Sequence, residues 1–300
     1  MMNALPPTRR QFLHTAAAGV ATLTLAPLAS AAQKSTGPKW QIGCLNRPWV
    51  NWSVDEMLDG VKASGYKLVG LQTATKTDVF VGSTATPEYL ATLKQKVAAR
   101  GLQMNVGRLR TLDTKPTAEA TADIRRQFDN ARALGLTVLI NTGTGKPETY
   151  EAWYRLMAFG AAYGADHGIK LVTKPHGAVT AAAAEMLVCL EKINHPNLGI
   201  WYDAGNILYY TGKDPLVEME PIISRVTAFT AKDCAGKGAE VMTQLGTGKV
   251  DFLAHFRRLQ KAGFKGPIML EGCAVGKTAA ETTANARANR EFLEKTLAKV

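Results

Sequence analysis

Histidine and cysteine are scarce in this 300-residue chain, at five and four residues, and other familiar signals are missing altogether. Cys44, Cys189, Cys234 and Cys273 stand far apart with no Cys-x-x-Cys spacing. They read as small hydrophobes at the ends of core strands, although a Cys234–Cys273 bridge stays open because the two follow neighbouring strands. No apolar run reaches the ~20 residues that a membrane-spanning helix requires. No Gly-rich phosphate loop follows the first strand, so a doubly wound nucleotide-binding sheet lacks support. The net charge of +11 is not gathered into a block. Basic residues recur along helices as Lys94, Lys96 and Arg100, then Arg125, Arg126 and Arg132, then Arg257, Arg258 and Lys261. That spread describes a solvated basic surface and not a nucleic-acid footprint.

The first thirty-one residues read as a leader. Thr8-Arg9-Arg10-Gln11-Phe12-Leu13 precedes an Ala-rich apolar stretch from Ala16 to Leu28, and Ala29-Ser30-Ala31 supplies a small-residue cleavage pattern. The paired arginines resemble the twin-arginine type of bacterial signal, which implies export in the folded state to the periplasm or beyond. The domain proper is then expected over residues 38–300.

Beyond the leader, strand and helix signals alternate to the end. Strands are predicted over 40–46, 66–73, 102–108, 137–141, 169–174, 199–203, 226–232 and 267–271. Helices are predicted over 54–64, 87–100, 118–134, 147–167, 179–193, 215–224, 252–262 and 278–298. Gly65, Gly101, Gly135, Gly168 and Gly263 punctuate the passage from helix to strand, the C-cap position that glycine fills best. Ser53 with Glu56 makes a capping box, and Asp214-Pro215 makes a cap followed by an N1 proline. Eight such units predict a closed (β/α)₈ barrel, whose strands all deliver their C-terminal ends to one mouth.

Four of these runs end in charged groups: Lys174-Pro-His176, Asp203 with Asn206, Lys232-Asp233 and Glu271. With those ends placed, the half from Leu171 to Leu297 resembles the xylose-isomerase-like barrel superfamily of sugar isomerases and epimerases. The residues that carry the likeness are Lys-Pro-His-Gly at 174–177, Trp-Tyr-Asp-Ala-Gly-Asn at 201–206, Ala-Lys-Asp at 231–233, Leu-Gly-Thr-Gly-Lys-Val-Asp-Phe at 245–252 and Leu-Glu-Gly at 270–272. The first half resembles it less, through Ile42-Gly43 and Leu68-Val-Gly-Leu71. The resemblance implies a divalent metal (Mn, Co, Zn or Mg) held by a Glu, an Asp, a His and a Glu from strands five to eight, with two carboxylates shuttling protons beside a carbonyl.

Carried over residue by residue, only Asp203 and Glu271 match that ligand set. Strand five offers Lys174 instead of a carboxylate, and strand seven reads Ala228-Phe229-Thr230 where the family has His-x-His. An ammonium beside a divalent ion in a low-dielectric mouth is repelled. Weak or no metal binding is therefore expected, with a Lys174–carboxylate cluster in its place; if a metal is held, Asp203, Glu271 and His176 are the remaining ligands. Only His176 among the histidines is placed to act in the mouth, since His14 lies in the leader and His167, His195 and His255 fall on helices or their turns.

Each candidate has two readings. Glu271 and Asp203 serve either as proton-transfer groups or as a rim carboxylate and a turn cap. Lys174 is either a counter-ion or an amine that polarises a carbonyl or forms a Schiff base. His176 is a sugar contact, an acid–base group or a loop histidine, and Lys232 pairs with Asp233 at the rim or reaches substrate. Asn206, Trp49 and Arg108 complete the expected substrate contacts, Trp49 by stacking on a sugar face. Arg47 and Arg108, at the ends of strands one and three, suit an anionic substrate group.

The expected function is a secreted isomerase, epimerase or keto-sugar lyase acting on a small carbohydrate, by abstraction of a proton next to a carbonyl. A non-catalytic sugar-binding barrel is the alternative. A DNA-repair endonuclease is the weakest, since it needs a His-rich metal cluster. Neither nucleic acid nor a membrane span is expected, and monomer against homo-oligomer stays open.

Overall fold

Helix, glycine, short apolar strand is the unit that the chain repeats, and the structure closes eight of them into a ring. The computed structural model describes residues 40–75 and 77–300; the leader assigned to residues 1–31 lies outside the described residues. The strands are β1 (Ile42–Leu45), β2 (Leu68–Leu71), β3 (Gln103–Arg108), β4 (Val138–Asn141), β5 (Lys170–Thr173), β6 (Leu198–Asp203), β7 (Val226–Ala231) and β8 (Ile268–Leu270). All neighbours pair in parallel in sequence order, and β8 pairs back onto β1 with Ile268 opposite Ile42. This is a (β/α)₈ barrel, as the alternation predicted.

The helices are α1 (Val54–Ala63), α2 (Pro87–Ala99), α3 (Thr117–Leu134), α4 (Tyr150–Asp166), α5 (Ala183–Ile193), α6 (Ala204–Thr211), α7 (Pro215–Met219), α8 (Phe252–Lys261) and α9 (Ala279–Leu297). The predicted caps form. Ser53 accepts from the Glu56 backbone while Glu56 returns to Ser53, and Asp214 accepts from Leu216. Gly135 closes α3 at φ 79°, a conformation that a Cβ would strain.

Three helix predictions need correction. The eight-residue α6 was not foreseen as an element, because Ala-Gly-Asn-Ile-Leu-Tyr-Tyr continues the apolar run of β6 and carries no clear period. The stretch predicted as one helix over 215–224 is α-helical only to Met219 and then 3₁₀ over Glu220–Arg225. Pro221 lacks the N–H that the α-helical ladder would need. The helix predicted from Val179 starts at Ala183, since Gly177–Thr180 is folded into a tight turn.

The barrel interior is filled by one residue from each strand: Leu45, Leu68, Val106, Ile140, Val172, Trp201, Ala228 and Met269, all less than a tenth exposed. Gly70 makes room for this layer, since a Cβ there would stand 2.3 Å from Leu45 Cδ2. A second, larger core lies between strands and helices and holds Trp49, Phe128, Trp153 and Phe229. All four cysteines are free and buried there, so the Cys234–Cys273 bridge left open by the sequence is not made. Burial pushes the Cys44 thiol up, with the nearby Cys273 adding to it, and pushes Cys273 itself up to about 12. Among the described residues no helix is long and apolar enough to cross a membrane.

Candidate active site

Side chains of a strand alternate faces with a period of two, so residues an even number of positions beyond the interior layer point into the mouth. Counting two residues on from Leu45, Val106, Ile140, Val172, Trp201 and Met269 yields Arg47, Arg108, Thr142, Lys174, Asp203 and Glu271, and four residues on from Leu68 and Ala228 yields Gln72 and Lys232. Four cations and two carboxylates leave this ring with a net charge of plus two.

In the β5–β8 half the charges lock together. Lys174 Nζ lies 2.8 Å from Asp203 Oδ2 and also donates to Glu271 Oε2. Lys232 Nζ lies 2.9 Å from Asp203 Oδ2 and 2.9 Å from Glu271 Oε1, and Arg47 Nη1 donates to the same Oε1 at 2.9 Å. Each ammonium therefore touches both carboxylates and each carboxylate touches both ammoniums. Lys174, Lys232 and Asp203 are completely buried and Glu271 nearly so, whereas about a third of the Arg47 side chain is exposed. Four charges sealed from water hold only because each finds two opposite partners.

The same geometry sets the titration. Burial opposes ionisation of Glu271, but Lys174, Lys232 and Arg47 outweigh it and hold the carboxyl well below its usual range. Desolvation pushes Lys174 below an ordinary lysine despite its two acids, with Lys232 adding repulsion. Lys232 is desolvated too, yet the carboxylates win and its ammonium is raised. Glu271 is therefore a weak base, and Lys174 is the amine more easily deprotonated.

The remaining expected contacts divide. Arg108 stands in the mouth, its Nη2 donating to Thr142 Oγ1 at 3.1 Å. His176 lies at the rim beyond Lys174, with an accessible face and the Tyr210 hydroxyl 3.2 Å from both ring nitrogens. Desolvation on its crowded side, with repulsion from Lys174 and Lys232, pushes its imidazole down to about 4. Lys232 does not pair with Asp233 at the rim; it belongs to the sealed cluster. Asp233 instead accepts backbone N–H groups from Cys234, Gly246, Gly248 and Val250 at 2.8–3.1 Å and folds the loop after β7 around itself. Asn206 is buried, with its amide donated to Pro175 O at 2.6 Å, so it ties β5 to α6 and is not a free sugar contact. Asp203 also caps α6 by accepting from Asn206 N at 2.8 Å, so the turn-cap reading holds, alongside its place in the ion cluster. Trp49 is fully buried against Gly60 and α1 and has no face left for stacking. Trp201 fills the barrel interior and donates to Thr230 Oγ1 at 2.9 Å.

Gln72 and Thr142 were missed because an amide and a hydroxyl at a strand end look like ordinary loop chemistry. The period-two step from the interior layer would have found both, Thr142 one step beyond Ile140 and Gln72 two steps beyond Leu68.

A divalent ion does not fit this arrangement. It would need the lone pairs of Asp203 Oδ2 and Glu271 that now face ammonium nitrogens, and two like charges would stand beside it. His176, the third candidate ligand, is engaged with Tyr210 instead of with either acid.

A closed barrel with a charged C-terminal mouth defines the class: a barrel with an enzyme-like active-site layout. The chain belongs to the xylose isomerase-like TIM barrel family, whose model matches residues 58–296. A ketose 3-epimerase from Arthrobacter globiformis is 27% identical over 130 residues, so the chain spans only 43% of that relative's length and 43% of its own. A D-allulose 3-epimerase from Methylomonas sp. superposes with a TM-score of 0.66 at 19% identity, over 86% of this chain and 98% of that one. A xylose isomerase-like barrel protein from Mycobacterium smegmatis, solved in complex with magnesium, superposes with a TM-score of 0.67 at 14% identity, over 87% and 97%. At those identities the superpositions speak for the fold.

Proposed function

We propose that this chain is a sugar isomerase or epimerase of the keto-sugar type that works without a divalent metal. The observation that carries this reading is the cluster in which Lys174 and Lys232 both bridge Asp203 and Glu271. Two ammoniums supply the double positive charge between the same two carboxylates where the family resemblance implies a divalent ion. Each ammonium has three N–H donors and spends two, which leaves one per lysine for the oxygen of a carbonyl or enediolate. His176 is the base of this scheme, a weak one with its imidazole lowered to about 4, since the oxygens of Glu271 are occupied by three cations and Asp203 is engaged by two. Proton removal beside the carbonyl leads to epimerisation on return of the proton, or to a keto-sugar lyase if a neighbouring group departs. Arg47, the exposed member, is where substrate first meets the cluster.

One observation favours the second reading, a non-catalytic sugar-binding barrel: both ammoniums are shut off from the mouth in this conformation. We take the leader as supporting export, with the mature chain starting near Ala32 and the barrel over residues 38–300; the first residue of the mature protein, read by N-terminal sequencing, tests this.

The decisive assay follows ketohexoses such as D-allulose by chromatography with purified mature protein and an excess of chelator. Turnover that survives chelation is expected. Activity lost on chelation and restored by Mn²⁺ or Mg²⁺ would sink the metal-free scheme, and no turnover on any keto-sugar selects the binding reading. A second readout is independent of activity: Lys174→Glu should bind Mn²⁺ measurably by calorimetry where the wild type does not.

A further inference from the structure

The β1–β4 half of the mouth holds two features that the sugar reading leaves unused. Arg108 is partly buried, and among the described residues its one hydrogen-bond partner is the neutral Thr142 Oγ1; it forms no ion pair. Gln72 is 6% exposed, and its Oε1 has no partner among the described residues. Both line one cavity of about 330 Å³ at the C-terminal ends of β2 and β3, together with Arg110. That volume is on the scale of a small-ligand cleft.

The acids that share this cavity are already engaged. Asp78 accepts from the hydroxyls of Thr75 and Tyr89 at 3.1 Å and of Thr77 at 2.8 Å. Asp123 accepts from Gln127 Nε2 at 2.6 Å and lies 3.9 Å from Arg126. Neither pairs with Arg108 or Arg110. Burial and the repulsion of Arg110 both work against the Arg108 charge, and Glu271 and Tyr210 only partly restore it.

Two guanidiniums that line one cavity and form no ion pair among the described residues, beside a buried carbonyl oxygen without a donor, form an incomplete set. A partly desolvated cation calls for a negatively charged oxygen, and a buried amide oxygen calls for a hydroxyl. We propose that this cavity takes an acidic sugar, of the uronate or aldonate class. Its carboxylate lies on Arg108 and Arg110, and one of its hydroxyls donates to Gln72 Oε1. The proposal rests on the mouth being a sugar site and names the kind of sugar. The net positive charge of the ring adds long-range attraction for the same ligand.

Calorimetry on the mature protein would compare D-glucuronate, D-glucose and inorganic phosphate, with the wild type, Arg110→Gln and Arg108→Lys. The exposed Arg110 carries little packing, so its variant should stay folded, and a thermal melt confirms it. D-glucuronate should bind the wild type about tenfold or more tightly than D-glucose. Arg110→Gln should erase most of that preference, and Arg108→Lys, which keeps charge but loses the fork, should weaken it. Equal affinity for the two sugars overturns the acidic-sugar assignment while the sugar reading stands. Phosphate binding as tightly as glucuronate shows a general anion site and also overturns it. Glucuronate preferred over glucose, with no turnover of any ketohexose in the assay above, upholds this inference and removes the enzymatic reading instead. If neither sugar binds, both fall.

Discussion

The two halves of the barrel mouth are built from the same strand geometry and solve opposite problems. From β5 to β8 the ring carries Lys174, Asp203, Lys232 and Glu271, which neutralise one another and exclude water. From β1 to β4 it carries Arg47, Gln72, Arg108 and Thr142, where a guanidinium and an amide oxygen wait beside open space. One half has each of its charges paired with opposite ones. The other is unsatisfied and therefore receptive.

The comparison breaks first at Lys174. Lys174→Met leaves two buried carboxylates with one buried ammonium, and should cost about 3–5 kcal/mol in chemical denaturation. A cost below about 1 kcal/mol, the value of an exposed pair such as Arg100 with Asp59, would mean that the sealed half is no more coupled than the surface.

An acid titration sharpens it next. The folded-state value of His176 lies near 4, below its ordinary 6.5, so its contribution is present above 6.5 and is lost as pH falls through about 4. Glu271 is also lowered, from 4.5, so its contribution is present above that value and disappears only at still lower pH. Unfolding free energy measured against pH should therefore decline in two stages. His176→Gln should flatten the stage between pH 6.5 and 4 and leave the lower one, whereas a single steep loss near pH 6 would contradict the rim placement of the ring.

The smallest effect is expected at Gln72. Gln72→Leu removes an unpartnered buried oxygen, so stability should change by no more than about 1 kcal/mol, in either direction. Affinity for an acidic sugar should fall nonetheless. A large destabilisation would show that Gln72 is structural and that this half is not held open for a ligand.

How much of this was legible follows the same division. Lys174, Asp203 and Glu271 stood out because a charge at the end of a continuous apolar run has no routine explanation, and their convergence followed from the barrel alone. Lys232 was visible but misjudged, because its neighbour Asp233 offered an easy partner in sequence. The loop after β7 claims Asp233 for four backbone N–H groups, which leaves Lys232 to the cluster. Trp49 and Asn206 were misplaced for the converse reason: their chemistry suits sugar, but local geometry turns one into the core and ties the other to Pro175. Strand and helix positions were readable from glycine caps and apolar runs. The short α6 was not, since eight mostly apolar residues carry too little pattern to separate from the strand before them.

The four unpaired thiols have a practical consequence. Cys44, Cys189, Cys234 and Cys273 are each buried, and burial keeps Cys44, Cys189 and Cys273 protonated at neutral pH. A sulfhydryl-modifying reagent added to the native barrel should find nothing to react with until the structure opens. They sit on different parts of the wall: Cys44 in β1, Cys189 in α5, Cys234 after β7 and Cys273 after β8. The order in which they become modified would then report which sector of the ring comes apart first, a clock for opening that the chain carries without any label.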